Sequence, residues 1–456
     1  MSPNPPHPLY WLALLLAPPA CSDPAARQTL AWWSLQFTPR VALLEDEQEE
    51  SPAVLLELGA SLRLFGGLRA LHRRVLREGP AYGVQGLAWA PTSLGALALA
   101  RAGIVDGLTQ DLTPLLDSLP LHSLSAVAAH APMLARLGCQ RLGQLRALPR
   151  GPTARRFGPA LLQALDQAYG QAPEAHAWVV APEQFRARLE LPYRIENAPA
   201  LSHYVEQLLR QLCAWLAARH AGIKRLTLAW QHDAMRAREA GSGGQLSLGT
   251  ADTTRDFGHL ARLMREHLAQ LTLQAPVGEL SLCADEVLAL QEHSASLLPP
   301  NGAGSPEQPR EPLNQLLERM AVRLGPERVR RARLREDHRP ECMQDWLAWG
   351  QVLPPASMRP ALQPQPSWLL EPPLALKTRR DQPVHQGQVL QLLAGPQRIE
   401  GGWWGGKAVD PQVQRDYFLA RSSSSSASNG LSGLLWIYQE RLSTAEQRWF
   451  LHGVFA

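Results

Sequence analysis

FRARLELPYRIENAPALSHYVEQLLRQLCAWLAARH (residues 185–220) carries two periodicities in succession. Phe185, Ala187, Leu189 and Leu191 alternate with polar neighbours, the period of a half-buried strand, whereas residues 200–220 repeat apolar positions at helical spacing. Downstream, Leu226, Leu228 and Trp230 alternate again, and a Gly-rich turn at 241–244 leads into a strand at 245–248. A helix at 254–271 and a strand at 279–290 complete the run. The order β-α-β-β-α-β closes most simply as one four-stranded sheet with both helices on a single face.

Working outward, residues 11–16 read as a strand, 23–37 as a helix, and 41–45 and 53–58 as two strands separated by an acidic turn at 46–50. A helix at 67–77, a strand at 82–90 and a small-residue helix at 92–101, capped by Thr92, complete an α/β layer. Residues 131–169 turn fully helical: Leu134, Leu137, Leu142, Leu145 and Leu148 recur around a break at Gly138, and another helix starts at Gly158. On the C-terminal side, residues 298–312 and 353–366 read as linkers around a charged helix at 313–324 with an Arg-rich extension at 328–339. The remainder reads as a small β-rich module with Trp403, Trp404, Trp436 and Trp449, interrupted by a serine run at 422–426.

With 456 residues, the chain has room for about three domains. Hydrophobic residues make up 45% and charged residues 19%, which excludes a wholly disordered or fibrous protein. The net charge of +4 permits nucleic-acid binding without arguing for it. Five scattered cysteines without a CxxC give neither a disulfide framework nor a zinc site and point to a reducing, cytoplasmic compartment. The apolar run at 10–20 has no Lys or Arg ahead of it and contains Pro18 and Pro19, so it reads as a buried strand rather than a signal sequence. It is also too short to span a bilayer. The histidines show no HxxxH spacing and the serines no GxSxG context, which leaves hydrolase readings without an anchor.

Three stretches carry a resemblance: LLELGASLRLFGG (residues 55–67), LARLGCQRLGQLRALPRGPTARRFG (residues 134–158) and GPQRIEGGWWGG…RDYFLA…WFLHGVFA (residues 395–456). Together they resemble the ImuB family, Y-family-polymerase-like subunits of the bacterial mutasome that work in damage-induced mutagenesis. The resemblance implies an α+β, multidomain, Y-family polymerase-like chain. Its parts would be a partial palm at 1–122, a helix-hairpin-helix thumb at 123–180, a little finger at 181–293, a linker with a charged helix at 294–366 and a C-terminal interaction module at 367–456. It also implies several dozen residues, including the fingers, between the strand at 11–16 and the helix leading into Trp32 and Trp33; here they are missing.

Two-metal nucleotidyl transfer needs about three converging carboxylates. Aligned on active Y-family polymerases, the ligand positions fall at Leu15, Ala17, Pro52 and Ala53, none of which binds a metal. Glu57 and the acidic turn offer carboxylates, but one framework acid beside a solvated turn does not fix a two-metal geometry. The triphosphate-binding lysines fall at Ser93 and Leu97. The expectation is therefore a non-catalytic scaffold with no cofactor and no metal.

What remains is DNA. A helix-hairpin-helix holds duplex phosphate through backbone N–H groups at a glycine turn, and Gly138 to Gly143 has that form, with Arg141, Arg150, Arg155 and Arg156 around it. An ordinary helical hairpin fits the same spacing. In the next domain Lys224 and Arg225 start a strand and Arg186 and Arg188 alternate along another, which is a phosphate-tracking stripe or simply a half-exposed sheet. Leu297 and Leu298 stand where the family carries its sliding-clamp segment, without its glutamine, and Trp403 and Trp404 among glycines are either partner anchors or module core. The implied partners are primed DNA, the sliding clamp, an ImuA-type protein and an error-prone DnaE-type polymerase. The alternatives are an active translesion polymerase and a truncated product without function.

Overall fold

The computed structural model describes residues 9–18, 23–44, 52–233, 241–290, 313–335, 337–351, 365–402, 413–422, 433–441 and 448–455. These fall into two compact units, Met1–Arg319 and Met320–Ala456.

The first unit opens with β1 (Trp11–Leu16), α1 (Pro24–Ser34), β2 (Val41–Leu44), β3 (Ala53–Glu57), α2 (Leu68–Glu78), β4 (Val84–Ala90) and α3 (Ser93–Arg101). The four strands form an antiparallel sheet in the order β2-β3-β1-β4. Alternation decides its faces. Leu12, Leu14, Val54 and Leu56 pack with Leu30 and Trp33 of α1, while Ala13, Ala53 and Leu55 pack with Ala96 and Leu97 of α3. Asp23 caps α1 by accepting from the Ala25 amide at 2.9 Å, and Thr92 caps α3 by accepting from the Gly95 amide at 3.2 Å.

The expected helical region is more finely broken than its leucine spacing predicts. Two short helices, α4 (Leu112–Asp117) and α5 (Ser125–Ala128), precede it, and it comprises α6 (Ala131–Arg136), α7 (Leu142–Arg146), α8 (Arg150–Phe157) and α9 (Pro159–Ala168). Gly138 at φ 85° ends the first arm of the hairpin, and Gly158 at φ 87° separates α8 from α9. Leu134, Leu142, Leu145, Phe157 and Leu161 share a core with the α3 side of the sheet.

Beyond it come β5 (Arg186–Ile195), α10 (Ser202–Ala218), β6 (Ala221–His232), β7 (Gly243–Thr254), α11 (Phe257–Gln270) and β8 (Val277–Ala289), in a sheet of order β5-β8-β6-β7. β7 is longer than the predicted 245–248. The Gly-rich turn is explained by crowding: a Cβ on Gly243 would lie 2.0 Å from the Trp230 carbonyl oxygen, and one on Gly244 would lie 2.4 Å from the Trp230 ring. α12 (Leu313–Leu324) docks on this domain through Glu318, buried against the His259 Nε2 at 2.7 Å.

In the second unit the Arg-rich stretch expected to extend α12 is instead a two-stranded hairpin, β9 (Arg330–Leu334) with β10 (Gln344–Ala348). Cross-strand contacts override helical propensity there: Arg333 pairs with Asp345, and the Arg331 guanidinium sits 4.6 Å from the Trp349 ring centre. The rest is a closed barrel of β11 (Trp368–Arg379), β12 (Gln382–His385), β13 (Gln388–Gly401), β14 (Val413–Ser422), β15 (Leu434–Glu440) and β16 (Arg448–Val454). Leu390, Ala420, Leu435, Ile437, Trp449, Leu451 and Val454 pack together on one face of its wall, and Ile399, Tyr417, Trp436 and Tyr438 pack on the opposite face, as the alternation Leu435-Trp436-Ile437-Tyr438 requires. Among the described residues no helix is long and apolar enough to cross a membrane.

Candidate nucleic-acid interface

At the first sheet, pairing brings the aligned metal positions together: Leu15 of β1 lies directly opposite Ala53 of β3, with Pro52 next to it. Ala17 follows β1, its amide donating to the Gly83 carbonyl at 3.0 Å. Glu57 stands at the other end of β3, opposite Trp11. Four residues of strand put it about 13 Å from Ala53, beyond any shared metal site. Its buried carboxylate is occupied by Arg40 Nη1 at 3.1 Å and by the Gly59 amide at 2.9 Å. The acidic turn lies outside the described residues.

The start of α3 is also occupied. Ser93 and Leu97 are buried, and the Glu174 carboxylate accepts from the Ser93 amide at 2.8 Å and the Leu94 amide at 2.9 Å. His176 Nε2 lies 2.9 Å from Ser93 Oγ, its ring against Trp11, and burial moves this imidazole below its ordinary range, with Glu174 partly offsetting the shift. The chain's own carboxylate thus holds the amides that open this helix. The segment continues onto the sheet edge, where the Val179 amide donates to the Val41 carbonyl at 2.8 Å. The sequence reading passed over Glu174 and His176; the only local sign was a Pro-Glu-Ala-His-Ala-Trp run between helix and strand.

The hairpin is built on α6 and α7. Gly138 is exposed in the turn, and Gly143 packs so closely on Asp117 that a Cβ there would lie 2.7 Å from the Asp117 Cβ. Asp117 accepts two bonds from Arg146, at 3.0 and 2.7 Å, and one from the Tyr169 hydroxyl at 2.7 Å. Burial alone would raise its pKa, but these donors outweigh it and hold the carboxyl below its ordinary value.

The arginines separate into two groups. Arg150 is committed to Asp166 through bonds of 2.8 and 2.6 Å. Arg141 and Arg155, together with Arg136, are exposed and make no side-chain hydrogen bond or ion pair with described residues; Arg156 rests over the Phe157 ring at 5.9 Å. Arg136 was not singled out from sequence, because one more arginine on a helix carries no signal of its own.

On the four-stranded sheet of the same unit the proposed stripe is largely neutralised. Arg188 pairs with Glu279 at 2.8 Å and Arg225 with Glu286 at 4.0 Å. Lys224 donates to the Ala251 carbonyl, while Arg186 is exposed. Leu297, Leu298, Trp403 and Trp404 lie outside the described residues.

Taken together, the chain has mixed helix and sheet structure, with arginines on and beside its helical hairpin that are exposed and make no side-chain ion pair with described residues. It is ImuB-like: it is 28% identical over 454 residues to Protein ImuB of Caulobacter vibrioides strain NA1000 / CB15N, and equally to that of strain ATCC 19089 / CIP 103742 / CB 15, covering 95% of this chain and 94% of each relative. No family model matches it. Similar solved structures include an insertion ternary complex of Dbh DNA polymerase, 12% identical over 58% of this chain and 77% of that one, at a TM-score of 0.27. Another is DinB from Sulfolobus solfataricus, 13% identical over 59% and 77%, at the same TM-score of 0.27.

Proposed function

We propose that the chain is a non-catalytic, DNA-holding adaptor of damage-induced translesion synthesis, with a palm-like first sheet, a helix-hairpin-helix thumb and a little-finger-like sheet. The observation that supports the reading is the pairing of Leu15 with Ala53, two apolar residues at positions that the sequence alignment assigns to metal ligands in active polymerases. Glu57 lies at the far end of its strand, committed to Arg40. Likeness to ImuB along the chain supports a role in mutagenesis.

DNA contact falls to the hairpin, where Arg136, Arg141 and Arg155 have no internal partner among the described residues and the phosphate backbone supplies one. The sliding clamp, an ImuA-type protein and a DnaE-type polymerase are the partners the adaptor would join, in the cytoplasm. The test is the purified chain with primer-template, all four nucleotides and Mg²⁺ or Mn²⁺, followed by co-sedimentation with the DnaE-type polymerase and clamp on the same DNA. No primer extension together with a DNA-bound assembly is expected. Extension abolished by Glu57→Ala would replace the adaptor with an active translesion polymerase.

A further inference from the structure

Helix α2 presents a face of one charge. Its 11 residues, LRALHRRVLRE, hold four arginines and a single acid, Glu78 at the last position. At about 100° per residue, Leu71 and Val75 share one side of the helix and Arg69, Arg73 and Arg77 the opposite side. The first two are buried in the core against α1, and the three arginines are exposed.

The inward arginine is committed. Arg74 donates to the Gln36 side chain at 2.9 Å and to Glu78 at 3.2 Å, and its guanidinium lies 5.4 Å from the Phe37 ring centre. The outward three differ. Arg69 makes no side-chain hydrogen bond or ion pair with described residues, and Arg73 reaches only the Arg69 carbonyl, at 3.4 Å. Arg77 meets Glu78 at 2.9 Å with 75% of its side chain exposed.

For the isolated chain this arrangement is unfavourable. Arg69, Arg73 and Arg77 are successive i,i+4 neighbours, so each pair repels. Arg69 also stands in the first turn, where the helix dipole favours an acid. Elsewhere the same unit balances such charges, as α10 does with Glu206 and Arg210 four residues apart. A stripe that repels itself within the protein is relieved by an anion from outside, and its geometry says which kind. Four residues at about 1.5 Å of rise set the three positions about 6 Å apart along one line, a row rather than a pocket. A nucleic-acid strand presents one negative phosphate per nucleotide in such a row. Leu76, 51% exposed, is the apolar residue between Arg73 and Arg77, too little for the apolar centre of a protein interface.

This face is separate from the helical hairpin. Leu71 and Val75 pack with Leu12 and Leu14 on one side of the first sheet, whereas Leu134, Leu142 and Leu145 pack with Ala13 and Leu55 on the other. We propose that α2 is a second phosphate-binding surface, holding a nucleic-acid strand through Arg69, Arg73 and Arg77, so that one chain grips two segments of nucleic acid on opposite sides of the sheet. That the hairpin holds the first segment rests on the function proposed above; the charge of α2 does not.

The test measures binding of the full chain to a short fluorescent single strand and to the matching duplex across a salt series. Arg136→Ala with Arg155→Ala removes hairpin contacts and should leave residual binding. Adding Arg69→Ala, Arg73→Ala and Arg77→Ala should weaken that residue at least about tenfold, on whichever probe the site holds, and lower the log–log salt slope by about one per arginine. Lysine at the same three positions should restore most of the slope, which a merely structural role would not require. Arg73→Glu keeps the helix, because it turns two repelling pairs into attracting ones; it should raise the melting temperature while weakening binding at least as much as the alanine set, and it decides the matter should the alanine variant fold poorly. Unchanged affinity and slope on both probes overturn the proposal. So does an alanine variant that keeps its DNA slope but loses a fluorescent polyglutamate, which would make the partner an acidic polypeptide. Should the hairpin variant bind as tightly as wild type, the hairpin assignment fails while the α2 variants, made in the wild-type chain, still decide this one.

Discussion

Single residues decide what chemistry the first sheet offers. Glu57, the carboxylate on the same strand as Ala53, holds Arg40 and the Gly59 amide at the opposite end of that strand. Glu57→Ala should therefore cost about 1–3 kcal/mol of stability, measured by urea denaturation, and leave primer extension at the background of the unaltered chain. Asp117 supplies the second residue-scale expectation. Its folded-state pKa is lowered, so its contribution to stability is complete above the ordinary carboxylate range and is lost as pH falls through the folded value. Asp117→Asn should lower stability by about 1–2 kcal/mol at pH 7 and make the acid limb of the stability curve shallower. Equal stability of the two proteins at pH 7 would show that Arg146 and Tyr169 gain nothing from the carboxylate.

Among elements, the hairpin and its neighbours divide the basic residues into structural and available ones. Arg150 ties α8 to α9 through Asp166, whereas Arg136 and Arg155 have no such commitment among described residues. Arg136→Ala with Arg155→Ala should weaken binding to primed duplex similarly across sequences and lower the log–log salt slope by about one per lost phosphate contact. Arg150→Ala should leave that slope nearly unchanged and lower the melting temperature instead. A slope that responds to Arg150 and ignores the other two would reverse the assignment. From sequence, all of these were equivalent arginines near a glycine turn. Their difference arises from Asp166, 16 residues beyond Arg150, which local spacing does not place beside it.

For the molecule as a whole, the two units set separate expectations. In the second, burial pushes the His452 imidazole down to about 4, with Glu341 opposing and Arg415 assisting, and its Nδ1 lies 2.7 Å from the Tyr417 hydroxyl. The unfolded chain takes up this proton near pH 6.5 and the folded chain does not, so stability should fall as pH drops from about 6.5 towards 4. His452→Gln should flatten that part of the pH profile, followed by chemical denaturation; an unchanged slope would assign the loss to other groups. Deleting residues 320–456 removes the second unit at its boundary. The remainder should keep its salt-dependent DNA binding and lose damage-induced mutagenesis, and full mutagenesis in the deletion strain would contradict the adaptor function.

Periodicity alone determined the strands and helices around residues 185–290, because alternation and helical spacing are local consequences of one buried face. Residue chemistry alone also determined that Leu15, Ala17, Pro52 and Ala53 offer no side-chain metal ligand. Only the tertiary structure decided which charges remain available: Arg188 and Arg225 meet Glu279 and Glu286 across strands, and Glu174 reaches α3 some 80 residues away. The Arg-rich hairpin at 330–348 and the short β12 belong to the same class, since cross-strand partners and strand register are set by contacts distant in sequence. A stretch of chain specifies its own period and chemistry, but burial, pairing and neutralisation are properties of the partner it meets after folding.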